Sequence, residues 1–392
     1  MRRSTIIPNP SAERGGGARP ETVTGPPGAP SHLLVDLDAL ASNWRALHGT
    51  ARAGGAIAAG AAVKADAYGL GLARVAPTLA AAGCRHFFVA HAGEALDLRV
   101  LLPEAEIFML HGPLGPEVRE LSANAIVPVL NDLGQVARWR AEARRLGRSL
   151  GAAIHLDTGM NRLGLPAREI EALATDPGAL DGIDLRLVMS HLATADEPGR
   201  PEAEIQRARF RALAGRLPPA PLSLANSAGV ALGPDYAFDL VRPGIALYGG
   251  RPLIGEPNPM AEVVRLRGGI LQVREIDAPG TVGYGATHSV TPGSRVATVA
   301  VGYADGLPRA AGHRRTAMLG GRPVPIVGRV SMDLITLDVT GLPEDVARPG
   351  ALVDLIGGGV DIDDAAAAAG TIAYELLTSL GHRYARHYLG GA

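Results

Sequence analysis

Short apolar runs alternate with amphipathic helical segments from His32 to about Met260. The apolar runs have the length of buried strands, and the segments between them carry apolar residues at helical spacing. Helices are predicted at residues 38–48, 132–146 and 201–217. Strands are predicted at residues 33–37, 61–65, 86–90, 106–110, 126–130, 152–156, 185–189, 221–225 and 239–246.

Repeated strand–helix units of this size predict a parallel sheet, and eight of them favour a closed (β/α)₈ barrel of the TIM type. Nine strands are predicted, one more than such a barrel needs. The first of them, residues 33–37, is expected to lie outside the barrel and to pack with the second domain. After residue 260 the pattern changes to apolar–polar alternation with Gly and Pro at turns, which predicts β structure. Strands are predicted at residues 263–276, 295–301, 316–319, 323–330, 334–339 and 352–356, followed by a helix at 374–380.

The fold is therefore predicted to be α/β, with a barrel over residues 32–260 and a smaller, mainly β C-terminal domain over residues 261–392. Residues 1–31 lack an apolar core and contain many Gly, Pro and Ser residues, which predicts a disordered tail. The segment does not have the pattern of a signal peptide, and no apolar run reaches the ~20 residues of a membrane helix. We expect a cytoplasmic protein.

Composition narrows the classes of function. Lys and Arg number 38 and Asp and Glu 39, so the formal net charge of −1 gives no electrostatic footprint for nucleic acid. The single cysteine, Cys84, cannot form an intrachain disulfide. Walker loops, His-Glu-x-x-His helices and cysteine pairs are absent from the sequence, so neither a nucleotide triphosphatase nor a zinc site is predicted. A small polar substrate fits this chain better.

Polar residues follow the predicted barrel strands at the end where barrel enzymes carry their sites. They are Lys64, His111, Asn131, Asp157, His191, Asn226, Ser227 and Arg242. A lysine at the end of a buried strand can form Schiff bases, because desolvation lowers its pKa. Taken alone, Lys64 would more often be a lysine that reaches solvent.

A phosphate site is predicted after the last barrel strands. Asn226 and Ser227 open a short helical turn, and Arg242-Pro-Gly244-Ile245 offers free backbone N–H groups. An N-cap serine beside an ordinary turn would explain each feature separately. Together with Lys64, however, they match what pyridoxal 5′-phosphate (PLP) requires, namely a lysine and a phosphate cradle on one face.

Eight motifs in order resemble those of the alanine racemase family. They cover residues 62–69, 156–164, 190–196, 225–228, 241–249, 282–287, 301–306 and 328–333. The resemblance implies a PLP-dependent racemase that interconverts L- and D-alanine for peptidoglycan synthesis. It also implies that Lys64 holds PLP covalently and that Arg242 faces the pyridine nitrogen. The other cofactor contacts implied are Tyr68, His191, Asn226, Ser227, Gly244, Ile245 and Tyr384.

The resemblance further implies two opposed bases, because racemisation needs one on each face of the reacting carbon. Lys64 would be one base and Tyr284 of a partner subunit the other, so the active form would be a homodimer with a shared site. Arg162 and the Met332 backbone N–H would bind the substrate carboxylate. The residues implied behind these groups or at the entrance are His155, Asp196, Tyr303, Arg309 and Asp333.

The sequence departs from the family pattern at two places. His155 stands where many members have a modified lysine that orients the equivalent of Arg162, so either a bound anion or a direct histidine contact would orient Arg162 here. Near the C-terminus, the family tyrosine beside the phosphate corresponds to His382 without a gap and to Tyr384 with a shift. Tyr384 is preferred.

Three other activities compete with this interpretation. A broader racemase on the same scaffold would accept serine or basic amino acids, and pocket size would decide, since a methylene is worth only ~1–3 kcal/mol. A non-catalytic PLP-binding protein would lack the second domain, and the motifs at 282–287 and 328–333 argue against it. A PLP decarboxylase would need a carboxylate in place of Arg242.

Overall fold

The computed structural model describes residues 21–313 and 315–391. The predicted tail lies largely outside these ranges, since residues 1–20 are not described. Residues 21–24, which were predicted to be disordered, instead form a strand that pairs with the last strand of the chain. Its side chains are mostly exposed, so backbone hydrogen bonding orders this segment and composition gives little sign of it.

The N-terminal part alternates strands and helices. In chain order it contains β1 (Glu21–Thr24), β2 (Ser31–Asp36), α1 (Leu37–Ala53), β3 (Ala58–Ala59), β4 (Ala61–Ala62), α2 (Lys64–Tyr68), α3 (Leu72–Ala82), β5 (His86–Val89), α4 (Ala92–Leu101), β6 (Glu106–Met109), α5 (Val118–Ala123), β7 (Val127–Leu130), α6 (Leu133–Leu146), β8 (Leu150–His155), α7 (Ala167–Thr175), β9 (Ile183–Met189), α8 (Glu202–Ala214), β10 (Leu222–Ser223), α9 (Ser227–Leu232) and β11 (Leu240–Val241).

Strands β3 to β11 form a closed parallel barrel. Strands β4 to β10 pair with their neighbours in order, and β11 pairs in parallel with β3, which continues into β4 after Gly60. The N–H of Asp239 donates to the carbonyl of Leu222 at 3.0 Å, and the N–H of Arg242 donates to that of Ala225 at 2.8 Å. These bonds join β10 to β11, so the predicted (β/α)₈ barrel is confirmed.

Side chains from the strands fill the barrel interior. Phe88 and Phe108 stack with ring centroids 4.8 Å apart and pack with residues of the other strands, such as Val129 and Leu187. The opposite faces of the strands pack against the helices in a second, larger apolar cluster. Because the interior is packed, polar groups gather at the strand ends rather than within the barrel.

The C-terminal part is mainly β. It contains β12 (Val264–Glu275), β13 (Gly280–Val282), β14 (His288–Val290), β15 (Arg295–Val299), β16 (Thr316–Leu319), β17 (Arg322–Val327), β18 (Ile335–Asp338), β19 (Leu352–Ile356), α10 (Ile362–Ala368), α11 (Ala373–Thr378) and β20 (Ala385–Leu389). The large sheet has the order β1-β20-β2-β12-β15-β18-β17-β16-β19, and β12 also pairs with β19. The early strand β2 thus lies in this sheet, between β12 and β20.

Several strands are shorter than predicted, and some elements were missed. The predicted strand at 239–246 is limited to β11, because Pro243 has no N–H to donate and the chain turns at Gly244 into a 3₁₀ helix, Ile245–Tyr248. The hairpin β13–β14, helix α10 and strand β20 were not predicted. Within the described ranges, no helix has the length and apolar character needed to cross a membrane.

Candidate active site

Lys64 lies just after β4, where the chain leaves the barrel, and it is the only lysine in this sequence. The next four residues, Ala65 to Tyr68, have φ values of 54°, 52°, 55° and 58°. They form one turn of left-handed helix, a conformation that costs roughly 1–2 kcal/mol for each L-residue. The surrounding structure must therefore impose this turn, and it thereby fixes the backbone that carries Lys64.

Strand β20 supplies part of that support. Arg386 Nη1 donates to the carbonyl oxygen of Gly69 at 2.7 Å, and the Tyr388 hydroxyl donates to that of Leu70 at 3.0 Å. Both acceptors lie directly after the left-handed turn. The C-terminal sheet thus holds the segment that follows Lys64, which couples the two domains at the site.

Five basic groups lie close together at this end of the barrel, and the charges of four of them act on the fifth, His191. They are Lys64, His155, Arg162, His191 and Arg242. Burial and, secondly, Arg162 lower the pKa of Lys64, while Glu94 opposes the change. Burial lowers the pKa of His191 well below its usual value, and the four neighbouring groups lower it further. The two arginines keep the site cationic at neutral pH, where both histidines are neutral, and a cationic site suits an anionic ligand.

Arg242 is buried at the centre of this cluster. Its Nη2 donates to the carbonyl oxygen of Ser190 at 2.6 Å, and its Nη1 donates to Ser223 Oγ at 2.5 Å. A longer bond runs from Nη2 to His191 Nδ1 at 3.5 Å. Because a guanidinium only donates, Nδ1 must be the acceptor and His191 Nε2 carries the proton. Burial lowers the pKa of Arg242 to about 9, so the group remains charged at neutral pH.

His155 is buried and has a fixed tautomer. Asn131 Nδ2 donates to the carbonyl oxygens of Leu110 and Val129 at 3.0 and 2.9 Å, which leaves Asn131 Oδ1 facing His155 Nδ1 at 2.8 Å. That nitrogen must therefore carry the proton, and Nε2 is an acceptor. Burial first, and Arg242 second, lower the pKa of His155 to about 4. His155 is thus neutral near pH 7.

Arg162 is exposed on a loop that folds back over β8. Asp157 Oδ1 accepts from the N–H groups of Gly159 and Asn161 at 3.0 and 3.1 Å. At the other end of the loop, the Leu165 N–H donates to the carbonyl oxygen of His155 at 2.8 Å. The loop is anchored on both sides of Arg162, directly beside His155.

Tyr68, Ser227 and Gly244 converge beside the cationic cluster. Ser227 Oγ accepts from the N–H groups of Gly244 and Ala246 at 3.0 and 3.2 Å. A Cβ added to Gly244 would lie 2.3 Å from the Tyr68 hydroxyl, so only glycine permits this approach. The Tyr68 ring is buried and stacks on Tyr248 with centroids 4.5 Å apart. The Gly244 and Ala246 N–H groups are thus bonded to Ser227, while the Tyr68 and Ser227 hydroxyls can still donate, and hydroxyl donors beside such a turn suit a phosphate group.

Ile245 continues the turn from Gly244, and Asn226 has a capping function at the start of α9. Asn226 Oδ1 accepts from the N–H of Gly229 at 2.9 Å. Its side chain therefore orders the helix that presents Ser227.

Five further predicted residues are exposed on loops and short 3₁₀ helices of the C-terminal domain, and we call them the C-terminal face: Tyr284, Tyr303, Arg309, Met332 and Asp333. Tyr284 is 70% exposed in the turn between β13 and β14, and Met332 is 53% exposed. In the described part of the chain, none of the five shares a hydrogen bond, ion pair or ring contact with Lys64. Among the described residues, the barrel groups are thus brought together, whereas no such contact joins the C-terminal face to Lys64.

The geometry does not support the preference for Tyr384 over His382. Tyr384 is fully buried, and its hydroxyl donates to the carbonyl oxygen of Asp305 at 2.7 Å. A buried tyrosine hydroxyl needs such a partner, so this side chain is part of the C-terminal core. His382 is exposed.

Sequence reasoning missed Tyr374. It lies on the first turn of α11, and its ring centroid is 5.9 Å from that of Tyr68. Partial burial, followed by the carboxylate of Asp196, raises the pKa of Tyr374 to about 12, although the residue is still 42% exposed. Asp196, predicted at the entrance, therefore lies near Tyr374. Only the tertiary contact with Tyr68 distinguishes this tyrosine from an ordinary helical aromatic residue.

Family models and known proteins match nearly the whole described chain. The model of the alanine racemase N-terminal domain matches residues 35–252, and that of the C-terminal domain matches residues 263–388. Alanine racemase from Rhodospirillum rubrum is 54% identical over 91% of this chain and 96% of its own length. A catabolic alanine racemase from Agrobacterium fabrum is 50% identical over 92% of this chain and 93% of its own length.

Solved structures agree. The crystal structure of alanine racemase from Bartonella henselae with covalently bound pyridoxal phosphate has a TM-score of 0.87 at 37% identity, and the match covers 92% of this chain and 99% of that one. The biosynthetic alanine racemase from Pseudomonas aeruginosa has a TM-score of 0.85 at 35% identity, with the same coverage. The chain therefore belongs to the alanine racemase family.

Proposed function

We propose that this protein is a PLP-dependent alanine racemase that interconverts L- and D-alanine. The observation that carries the proposal is the position of Lys64. The only lysine of the chain stands at the mouth of the barrel, within a cationic cluster and beside the Tyr68–Ser227–Gly244 site. The family membership and the 54% identity to a curated alanine racemase support the same activity.

The residues present fit PLP. Tyr68, Ser227 and the backbone of Gly244 and Ile245 would hold its phosphate, and the close approach of Tyr68 to Gly244 leaves no space for a side chain at position 244. Lys64 would hold the cofactor covalently. When bound, PLP acts as an electron sink that acidifies the α-proton of the amino acid.

We assign Arg242 to the pyridine nitrogen. Its pKa of about 9 keeps it charged, and a guanidinium has no acceptor, so it leaves that nitrogen without a proton of its own. A PLP decarboxylase would place a carboxylate at this position, so the arginine distinguishes this site from that of a decarboxylase. Arg242 would thereby weaken the electron-withdrawing effect of bound PLP and favour return of the proton to the α-carbon.

Two bases would act on opposite faces of the α-carbon. Lys64 Nζ has a pKa below its usual value, which favours proton abstraction by the neutral amine. Tyr284 Oη of the partner subunit would serve the other face, and its 70% exposure in one chain makes it available to a second copy. His191 Nε2–H is free to donate to the deprotonated Tyr284. This arrangement requires a homodimer with a shared site.

The substrate carboxylate would be bound by Arg162 and by the Met332 backbone N–H of the partner subunit. His155 Nε2 is an acceptor because Nδ1–H is committed to Asn131, so it can receive an N–H of Arg162 directly. Of the two means of orienting Arg162 that the sequence leaves open, this tautomer favours the histidine contact. Asp196, Tyr303, Arg309 and Asp333 are assigned to the entrance.

We further propose a cytoplasmic enzyme that supplies D-alanine for peptidoglycan. Relatives of similar identity include one described as catabolic and others without that qualification, so sequence identity does not separate the two physiological directions.

The test is α-hydrogen exchange in deuterated water across a panel of amino acids with added PLP. We expect rapid exchange and racemisation of alanine, with weaker activity on serine and none on basic amino acids. Faster turnover of serine or of a basic amino acid would replace the assignment with a broader racemase. Absence of exchange with every substrate, in protein that has bound PLP, would refute the racemase function.

A further inference from the structure

The carboxylate of Glu94 joins the turn after Lys64 to the neighbouring barrel strand. Its Oε1 accepts from the N–H of Ala65 at 2.6 Å, and its Oε2 accepts from the N–H of Ala90, at the end of β5, at 2.7 Å. The side chain is only 15% exposed. One carboxylate thus binds the first residue of the left-handed turn and the end of the adjacent strand.

This contact is more than a helix cap. Glu94 occupies the third position of α4, where a glutamate commonly reaches back to the N-cap N–H of its own helix. Here the N-cap residue is His91, and its Nδ1 accepts from the Glu94 N–H at 3.4 Å. The Glu94 carboxylate instead accepts its two hydrogen bonds from Ala65 and Ala90, outside the helix, while Oε1 also lies 3.7 Å from His91 Nε2. Its geometry serves the turn after Lys64.

The Ala65 N–H needs this partner. Within the turn, the N–H of Ala67 donates to the carbonyl of Val63 at 2.9 Å, and that of Gly69 donates to Ala65 at 2.7 Å. The Ala65 N–H is directed to Glu94 instead. Because Ala65 is the first residue with a positive φ, this bond fixes the direction in which the backbone leaves Lys64.

We propose that Glu94 is a positioning residue for Lys64, which holds the amine over one face of the substrate α-carbon. The inference rests on the proposed racemase function, in which Lys64 is one of two bases. It does not require Glu94 to touch the substrate. Glu94 acts through the backbone of Ala65 and, by its negative charge, on the amine itself.

The charge of Glu94 gives a measurable consequence. Burial and Arg162 lower the pKa of Lys64, and Glu94 raises it. Removing the carboxylate charge should therefore lower the pKa of Lys64 further. A residue with a purely structural function elsewhere in the barrel would leave that pKa unchanged.

The first experiment titrates Lys64 by NMR in the full-length protein labelled with ¹³C-lysine, after removal of the cofactor. Since the sequence contains one lysine, one side-chain signal reports on the site. We expect the titration midpoint to fall in Glu94→Gln. The matched control is Asp176→Asn, because Asp176 also accepts a backbone N–H, from Gly178 at 2.9 Å, but lies before β9 at the opposite end of the barrel. Its midpoint should equal that of the wild type.

The second experiment measures α-hydrogen exchange from each alanine enantiomer by the PLP-loaded protein. Glu94→Gln should lose about a hundredfold for one enantiomer, the size of effect that a misplacement of ~1 Å produces. Exchange from the other enantiomer should fall far less. The affected enantiomer should be the opposite of the one affected by Tyr284→Phe, while Asp176→Asn should exchange both normally.

An unchanged Lys64 midpoint in Glu94→Gln, or equal losses for both enantiomers, would overturn the proposal. If Glu94→Gln does not fold, the same measurements are made in an Ala65→Gly background, since glycine adopts a positive φ without strain. An inactive wild type would refute the racemase function instead. The NMR titration would still test the contact between Glu94 and the Lys64 turn.

Discussion

Replacing Gly244 by alanine tests the site assigned to the cofactor phosphate. The added Cβ would lie 2.3 Å from the Tyr68 hydroxyl, whereas ordinary contacts begin near 3.4 Å, so the hydroxyl must retreat by about 1 Å. Tyr68 cannot yield easily, because its ring is buried and stacks on Tyr248. A hydrogen bond to a charged group is worth about 1.5–3 kcal/mol, so its loss predicts PLP binding weaker by about 10-fold to 100-fold.

The assay is a titration of cofactor-free protein with PLP, followed by absorbance. Gly49→Ala is the matched control, because Gly49 lies in α1 and its added Cβ meets nothing within 4 Å. That variant should bind PLP normally and gain up to ~1 kcal/mol of stability from helix propensity. In a Tyr68→Phe background, Gly244→Ala should cost less, since the clashing hydroxyl is absent. Wild-type affinity in Gly244→Ala would refute the assignment of Tyr68 and Gly244 to the phosphate.

Three further predictions test the bases and the histidines. Tyr284→Phe should slow α-hydrogen exchange from one alanine enantiomer far more than from the other, and equal losses measured in deuterated water would argue against opposed bases. Asn131→Asp should raise the pKa of His155, so that at low pH Nε2 is protonated and repels Arg162. The KM for alanine should then rise about tenfold at low pH and recover as pH rises through the new pKa. A flat pH profile of KM would contradict the histidine contact. The pKa of His155 is about 4 in the folded state and 6.5 in the unfolded state, so the unfolded state binds more protons between these two pH values. The free energy of unfolding, measured by denaturant titration, should therefore fall by roughly 3 kcal/mol as pH drops from 6.5 to 4. The loss should be smaller in His155→Gln.

The barrel was predictable because its strands are apolar runs separated by helices of regular length. The positions of Lys64, His191 and Arg242 followed from the same pattern, since each comes at the end of a strand. Their mutual contacts did not follow, because periodicity places residues on an element but does not orient side chains. The resemblance to a family was needed to pair Lys64 with a tyrosine some two hundred positions away.

Other features of the site depend on tertiary contacts that the sequence pattern does not encode. The left-handed turn after Lys64 contains ordinary alanine, aspartate and tyrosine residues, and it is stabilised by groups such as Glu94 and Arg386 that are distant in sequence. The sequence pattern does not show which of Tyr384 and His382 is buried in the C-terminal core, so it gave no physical basis for choosing between them. Strand β1 was missed because its pairing with β20 depends on backbone hydrogen bonds.

The most direct test of the racemase function is the time course of enantiomer composition when L-alanine is incubated with the PLP-loaded protein. Enantiomers have equal free energy, so an active racemase must produce an equal mixture from either starting material. We predict that the wild type reaches this mixture from both L- and D-alanine and that Lys64→Ala, which removes the only lysine, does not. Retention of the starting enantiomer by the PLP-loaded wild type, or full racemisation by Lys64→Ala, would contradict the account.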